Sequence, residues 1–177
     1  MLPSTTLMLQ STVREDGRVE IEQIEVALTS PSDDEVVVRM EAAPINPSDL
    51  GTMFAGADIT TLRDDSSNDR RCVSAALNEA AVRAAKARLG QSIPLGNEGA
   101  GIVVAAGASE QAQQLLGATV ALRAGSYTQF RCIAADHCLV LPEGTDPAAA
   151  ASCFVNPLTA LGMVDTMRLE GHTALIH

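Results

Sequence analysis

The fold of this chain is decided first by residues 35–43, which read EVVVRMEAA. Three consecutive valines are typical of a strand, because β-branched side chains fit the pleated surface of a sheet. The turn-forming sequence PSDD at 31–34 marks where the strand begins. We therefore predict a central strand over 35–43.

Strand patterns recur on both sides of this stretch. Residues 18–26 follow the hairpin-type turn signal Asp16-Gly17 and alternate apolar and polar side chains. This alternation places Val19 and Ile21 on one sheet face, and its phase shifts toward Ile24 and Val26. Further strands are predicted at 101–106, 118–122, 127–134 and 138–141. Short strands at these spacings, separated by glycine and proline, are typical of a β-barrel or sandwich.

The first helical segment interrupts this pattern. Residues 79–89 are rich in alanine, with Asn78 placed as an N-cap and Gly90 just past the end. The preceding residues 60–71 are polar and charged, which predicts an exposed loop. Two interpretations of this loop stay open: a solvated surface excursion and a functional lid.

The second helical segment spans 157–167 and follows an alanine run that begins at Asp146-Pro147. The last seven residues, GHTALIH at 171–177, predict a turn and a short buried strand. A strand in that position needs a parallel neighbour and a second covering helix. We therefore expect the front part of a larger enzyme, with residues 1–150 as one domain and 151–177 as the start of a second.

Composition excludes several classes of protein. Twelve basic against 22 acidic residues give a net charge of -10, which disfavours binding to a phosphate backbone, and 2% aromatic residues disfavour a base-stacking surface. The N-terminus lacks the features of a secretory signal, and no stretch approaches the roughly 20 apolar residues of a membrane span. The four cysteines are irregularly spaced, without a Cys-x-x-Cys pair. We therefore expect a cytoplasmic protein with reduced thiols, no nucleic-acid partner and no membrane partner.

Four segments carry a resemblance when taken in order: INPSDL at 45–50, PLGNEGAG at 94–101, GSYTQF at 125–130 and FVNPLTAL at 154–161. Together they resemble the catalytic half of the medium-chain dehydrogenase/reductase superfamily, in its zinc-independent quinone oxidoreductase branch. The resemblance covers about residues 30–177 apart from about 58–92. That segment is longer than the usual connection in the family, and we expect this insertion to cover the substrate mouth.

The resemblance implies a mainly β fold with a few helices: a GroES-like β-barrel domain, followed here by the first helix and strand of a truncated Rossmann domain. In that family the Rossmann domain binds the cofactor, NADPH or NADH. The implied reaction is hydride transfer to a quinone or an activated C=C bond of a small-molecule substrate. The full-length protein is expected to be a homodimer, and this chain alone is expected to be inactive.

The resemblance also bears on zinc. Zinc-dependent relatives carry a cysteine at the position of Asn46 and a histidine at the position of Asn97, and neither asparagine is a useful zinc ligand. Of the matching positions only Glu98 offers a donor, whereas a catalytic zinc site needs three. We expect no metal.

The resemblance suggests Asn46 and Asn97 as catalytic residues, and Asn46, Asn156 and Thr159 as cofactor-binding residues. An asparagine amide both donates and accepts hydrogen bonds, which suits a nicotinamide carboxamide, a ribose hydroxyl or a substrate carbonyl. The alternatives are local: Asn46 caps the turn before Pro47, and Asn156 and Thr159 cap the following helix.

Three further side chains have open roles. Asp49 either bonds to Asn97 or to backbone, or is a plain helix-start carboxylate. Glu98 is either a site residue or a buried acceptor that supports its loop. Tyr127 is interpreted as a packing residue. Related enoyl-thioester reductases have a tyrosine after the Asn-Pro-Ser-Asp segment. Residues 51–57 contain none, which weakens the case for enoyl reductase activity in this protein.

A different class of function stays open beside the enzyme. The chain would then be a non-catalytic GroES-like module for binding or assembly, and its terminal strand would pair with a partner chain, because an unpaired strand edge is a template for association.

Overall fold

Two five-stranded antiparallel sheets form the core of residues 2–171, the part of the chain that the computed structural model describes. The first sheet has the order β4-β5-β2-β1-β6 and contains β1 (Thr5–Val13), β2 (Arg18–Ala27), β4 (Asp58–Asp64), β5 (Arg71–Ala76) and β6 (Ser92–Pro94). The second has the order β10-β8-β7-β3-β9 and contains β3 (Glu35–Ala42), β7 (Glu98–Ala106), β8 (Thr119–Arg123), β9 (Phe130–Ala134) and β10 (Leu139–Val140). The prediction of a mainly β chain with few helices is confirmed.

The predicted central strand is confirmed. β3 pairs with β7 on one side and with β9 on the other, and its three valines are fully buried. Val36 and Val38 pack with Val103, Val120 and Leu122 in the main hydrophobic core. The part of the strand that is buried on both faces has no room for polar side chains, which is why it is a run of three valines, and the polar residues Arg39 and Glu41 follow where the strand becomes exposed.

The two sheets are continuous through β1. One edge of this strand pairs with β2 along its whole length. At its other edge, Leu9 N donates to Tyr127 O at 2.9 Å and Gln129 N donates to Leu7 O at 3.0 Å. Residues 127–129 lead directly into β9 of the second sheet. The strands therefore roll into a partly closed barrel, one of the two arrangements that the strand spacing predicts.

Five α-helices decorate the sheets within residues 2–171: α1 (Pro47–Phe54), α2 (Glu79–Ala84), α3 (Glu110–Gln114), α4 (Pro147–Ala150) and α5 (Val155–Leu169). The predicted N-cap of α2 is confirmed, since Asn78 Oδ1 accepts from Ala81 N at 2.9 Å. This helix is shorter than predicted and continues as a 3-10 turn over Lys86–Arg88.

The predicted helix at 157–167 is confirmed as α5, which starts two residues earlier, at Val155. Its apolar side chains are largely uncovered: Leu158, Leu161 and Met163 are each about half exposed. The strand predicted at 173–177 lies outside the described residues. No helix within residues 2–171 combines the length and the apolar character needed to cross a membrane.

The loop predicted at 60–71 is wrong. The segment forms β4 and the turn of a hairpin with β5, and β5 in turn pairs with β2. Every residue of β4 is exposed, so its sequence lacks the alternation by which a half-buried strand is recognised. Arg70, in the hairpin turn, forms ion pairs with Glu20 at 3.2 Å and Glu22 at 2.6 Å on β2, which fasten the turn to the barrel.

Candidate functional site

The carboxylate of Asp49 joins two loops at one end of the barrel. Asp49 lies in the first turn of α1 and is 1% exposed. Its Oδ2 accepts from the backbone N–H of Asn46 at 2.8 Å, and its Oδ1 accepts from the backbone N–H of Asn97 at 2.8 Å. Of the roles left open for Asp49, the structure shows two together: it is a carboxylate at the start of α1, and it accepts from the main chain of Asn97.

A second buried carboxylate, that of Glu98, joins the barrel to α5. Glu98 is the first residue of β7 and is 0% exposed. Its Oε1 accepts from Asn46 Nδ2 at 3.0 Å, while its Oε2 accepts from Phe154 N at 2.7 Å and Val155 N at 3.0 Å. The first N–H groups of a helix have no partner inside the helix and carry partial positive charge. Glu98 therefore acts as the cap of α5 from a distant strand.

Close packing around Gly96 fixes the loop between β6 and β7. Gly96 has a φ of +93°, and a Cβ at this position would lie 2.6 Å from the backbone nitrogen of Tyr127. The Tyr127 hydroxyl donates to Pro44 O at 2.8 Å. Burial, with the nearby charge of Asp49, raises the pKa of Tyr127 to about 12. The phenol is therefore a neutral donor at neutral pH, and these contacts agree with its interpretation as a packing residue.

These loops border a cleft of about 910 Å³. Its walls include Asn97, the β8 and β9 residues Arg123 and Arg131, and the α5 residues Leu158 and Thr159. Asn97 Nδ2 donates to Ser48 Oγ at 2.9 Å. Thr159 Oγ1 donates to Val155 O at 2.6 Å and keeps its lone pairs as acceptors. Two of the four predicted site residues, Asn97 and Thr159, therefore meet on one cavity.

The other two predicted site residues lie elsewhere. The expectation that Asn46 lines the cleft is wrong, because this residue is only 4% exposed. Its side-chain amide donates to Glu98 and accepts from Asn156. Asn156 is exposed and its Nδ2 lies 3.4 Å from Asn46 Oδ1. The capping alternative for Asn156 and Thr159 is also wrong, since Glu98 fills that role. The catalytic and cofactor-binding roles of all four residues stay predictions.

Two residues of the cleft, Arg123 and Arg131, were not predicted from the sequence. The sequence offers only a weak indication of their role: they are basic residues in an acidic chain, and they lie on either side of the GSYTQF segment at 125–130. Burial lowers the pKa of Arg131 and raises the pKa of the neighbouring Cys138 thiol to about 11, so that thiol is protonated at neutral pH. Within residues 2–171 no three histidine, cysteine or acidic side chains cluster closely enough to hold a metal ion.

Comparison with known proteins identifies the fold. No protein-family profile matches the chain, and no curated protein sequence matches it. Among solved structures, a candidate NADPH:quinone reductase from Mesorhizobium loti superimposes with a TM-score of 0.62 at 24% identity, over 97% of this chain and 46% of its own length. A candidate NADPH:quinone reductase from Bacillus thuringiensis gives 0.59 at 26% identity, over 89% and 39%.

A quinone oxidoreductase from Coxiella burnetii also matches, with a TM-score of 0.59 at 17% identity, over 93% of this chain and 45% of its own. The chain thus spans less than half the length of each of these three proteins. At these identities the likeness establishes a shared fold. Residues 2–171 have the mainly β architecture found in one part of quinone-reductase structures.

Proposed function

We propose that this chain supplies one wall of the active-site cleft in a zinc-free, NAD(P)H-dependent oxidoreductase, which transfers a hydride to a quinone or an activated C=C bond. The observation that carries this proposal is the capping of α5 by Glu98. That contact fixes α5 against β7, and it thereby sets the amide of Asn97 and the hydroxyl of Thr159 on the same cavity. The fold shared with quinone reductases supports the same conclusion.

The polar groups on this wall fit a nicotinamide. Asn97 and Thr159 are uncharged and offer both donors and acceptors, which suits a carboxamide or ribose hydroxyls. When bound, the nicotinamide supplies the hydride. Asn97 and Thr159 would hold it. Asn46, which we predicted to act directly, is better placed to orient Glu98 and Asn156 from below the surface.

The remaining contribution of this wall is to exclude water. Phe154, Val155 and Leu158 present apolar surface to the cleft beside Thr159. An apolar wall strengthens the polar contacts made next to it, because fewer water molecules compete for the same groups. The arrangement offers orientation and a low local dielectric, which are the protein's usual share in nicotinamide chemistry.

The test compares the 177-residue chain with the longest reading frame that contains it. NADPH oxidation is followed with a panel of quinones and enoyl substrates. We expect turnover from the longer protein and background rates from the 177-residue chain, which spans under half of its structural neighbours. Failure of the longer protein on every substrate refutes the proposed activity, and clear turnover by the short chain refutes its dependence on further residues.

Two variants of the longer protein test the site itself. Thr159→Ala removes the cleft hydroxyl, and we expect the KM for NADPH to rise about tenfold for one lost hydrogen bond of roughly 1.4 kcal/mol. Thr166→Ala removes a hydroxyl from the exposed part of the same helix and is the matched control. Equal kinetics for the two variants would count against a role for Thr159 in cofactor binding.

A further inference from the structure

The cleft carries two positive charges in a chain that is otherwise strongly acidic. The sequence has 12 basic and 22 acidic residues, yet Arg123 and Arg131 both line this one cavity. Several arginines outside the cleft form ion pairs with carboxylates, such as Arg39 with Glu41 at 2.6 Å and Arg70 with Glu22 at 2.6 Å. Across residues 2–171, neither cleft arginine has a carboxylate oxygen within 4.0 Å.

The guanidinium of Arg131 is held in place without a counter-charge. Its Nη1 donates to the carbonyl of Arg123 at 3.1 Å, and a Cβ built on Gly125 would lie 3.2 Å from the same nitrogen. Partial burial lowers the pKa of this group, since it loses water contacts. A partly desolvated cation without a counter-charge carries a free-energy cost that a bound anion would offset.

The other elements around the cleft do not neutralise this charge. The turn after β9 contributes Asp136 and His137, whose nearest oxygen and nitrogen are 3.9 Å apart. From α5 the cleft receives only uncharged side chains, and the first N–H groups of that helix already bind Glu98. Two cations, of which Arg131 is held by a hydrogen bond and Arg123 lies exposed, therefore face a single carboxylate.

We propose that the cleft binds an anionic group, a phosphate or a carboxylate, through Arg131 and Arg123, with the apolar part of the same molecule against Phe154 and Leu158. Guanidinium groups match both kinds of anion, because their N–H donors lie in one plane and bond two oxygens at once. The binding itself stands apart from the proposed oxidoreductase activity. Whether the anion belongs to cofactor or substrate rests on that activity.

The experiment titrates the ¹⁵N-labelled 177-residue chain with inorganic pyrophosphate at constant ionic strength and follows backbone amide shifts. We expect saturable shifts around residues 123–125 and 131. Arg131→Gln and Arg123→Gln should each weaken binding about tenfold or more, as the loss of a charge-assisted hydrogen bond predicts. The matched control is Arg83→Gln on exposed α2, which should leave the affinity within about twofold.

Three further probes identify the source of the anion. Displacement of pyrophosphate by 2′,5′-ADP assigns the anion to the cofactor. Displacement by hexanoate, with hexanol inert, assigns it to the substrate. Shifts that do not saturate, or an equal loss of affinity in the Arg83 variant, overturn the proposal. If Arg131→Gln does not fold, Arg123→Gln decides, because the described structure gives that side chain no hydrogen bond to lose. A negative hydride-transfer assay leaves the measured binding of pyrophosphate unaffected and removes only the assignment of the anion to cofactor or substrate.

Discussion

The contact between Glu98 and α5 allows a quantitative prediction of how much Glu98 contributes to the free energy of unfolding. In Glu98→Ala three donors lose their acceptor: Asn46 Nδ2, Phe154 N and Val155 N. Each unsatisfied buried donor costs about 1–3 kcal/mol, and the two backbone groups are only partly buried, so water recovers some of this. We expect the free energy of unfolding to fall by about 3–6 kcal/mol.

The isosteric change Glu98→Gln separates charge from shape. The glutamine carbonyl can still accept from the helix N–H groups, and its amide can donate to Asn46 if that side chain flips. What is lost is the negative charge at the helix N-terminus, along with the charge-assisted part of each bond. We expect a loss of about 1–3 kcal/mol, clearly smaller than for alanine.

Urea denaturation followed by circular dichroism measures both losses, and amide hydrogen exchange along Val155–Leu169 shows whether α5 detaches first. Glu79→Gln is the matched control: this carboxylate is 94% exposed in its pair with Arg83, so we expect a change under about 0.5 kcal/mol. If both Glu98 variants match the control, or if α5 exchanges no faster than in the parent, the capping argument is refuted.

Three other outcomes follow from contacts described above. Gly96→Ala should lose about 2–4 kcal/mol, because it adds backbone strain to a clash with Tyr127, whereas Gly90→Ala, with φ +70° and open space, should lose only about 1 kcal/mol in the same urea assay. Tyr127 is the only tyrosine, in a chain without tryptophan, so phenolate absorbance reports it alone. Because its folded pKa, about 12, lies above the ordinary value of 10.0, folding favours the protonated phenol. That stability is fully present below about pH 10 and is lost as the pH rises through 12; a midpoint near 10 in a chain with native circular dichroism would contradict it. Asn78→Ala should cost about 1 kcal/mol in thermal or urea unfolding by removing the cap of α2, and no measurable change would show that the cap is dispensable.

Local sequence pattern predicted the parts of the fold whose signal is local. The valine run of β3, the alternation of β2 and the Asn78 cap each depend on residues within one element. β4 was missed because it buries nothing. β1 was missed because its burial does not alternate regularly: Thr6, Ser11 and Val13 are buried, but the residues between Thr6 and Ser11 are all half-buried. Neither burial pattern produces the regular alternation of apolar and polar residues by which a strand is predicted.

The site shows the same division. The four motifs brought Asn97 and Thr159 into consideration, and both line the cleft. The burial of Asn46 was not predictable, because it depends on Glu98, 52 residues away, and on Asn156, 110 residues away. Hydrogen bonds over such separations leave no mark in local composition. For the same reason the local-cap alternative for Asn156 and Thr159 was wrong, since the cap of α5 comes from another strand.

The seam between β1 and residues 127–129 has a consequence for the order of events during synthesis. Thr6 and Phe130, which share a hydrogen bond across it, are 124 residues apart. At the usual rate of translation, residues 127–129 are synthesised roughly 6 to 25 seconds after β1, and until then the edge of β1 that they pair with is incomplete. During that interval the strand presents free N–H and C=O groups, as an edge open to other chains. Substitutions that weaken this seam are therefore expected to reduce the yield of soluble protein before they alter the finished fold.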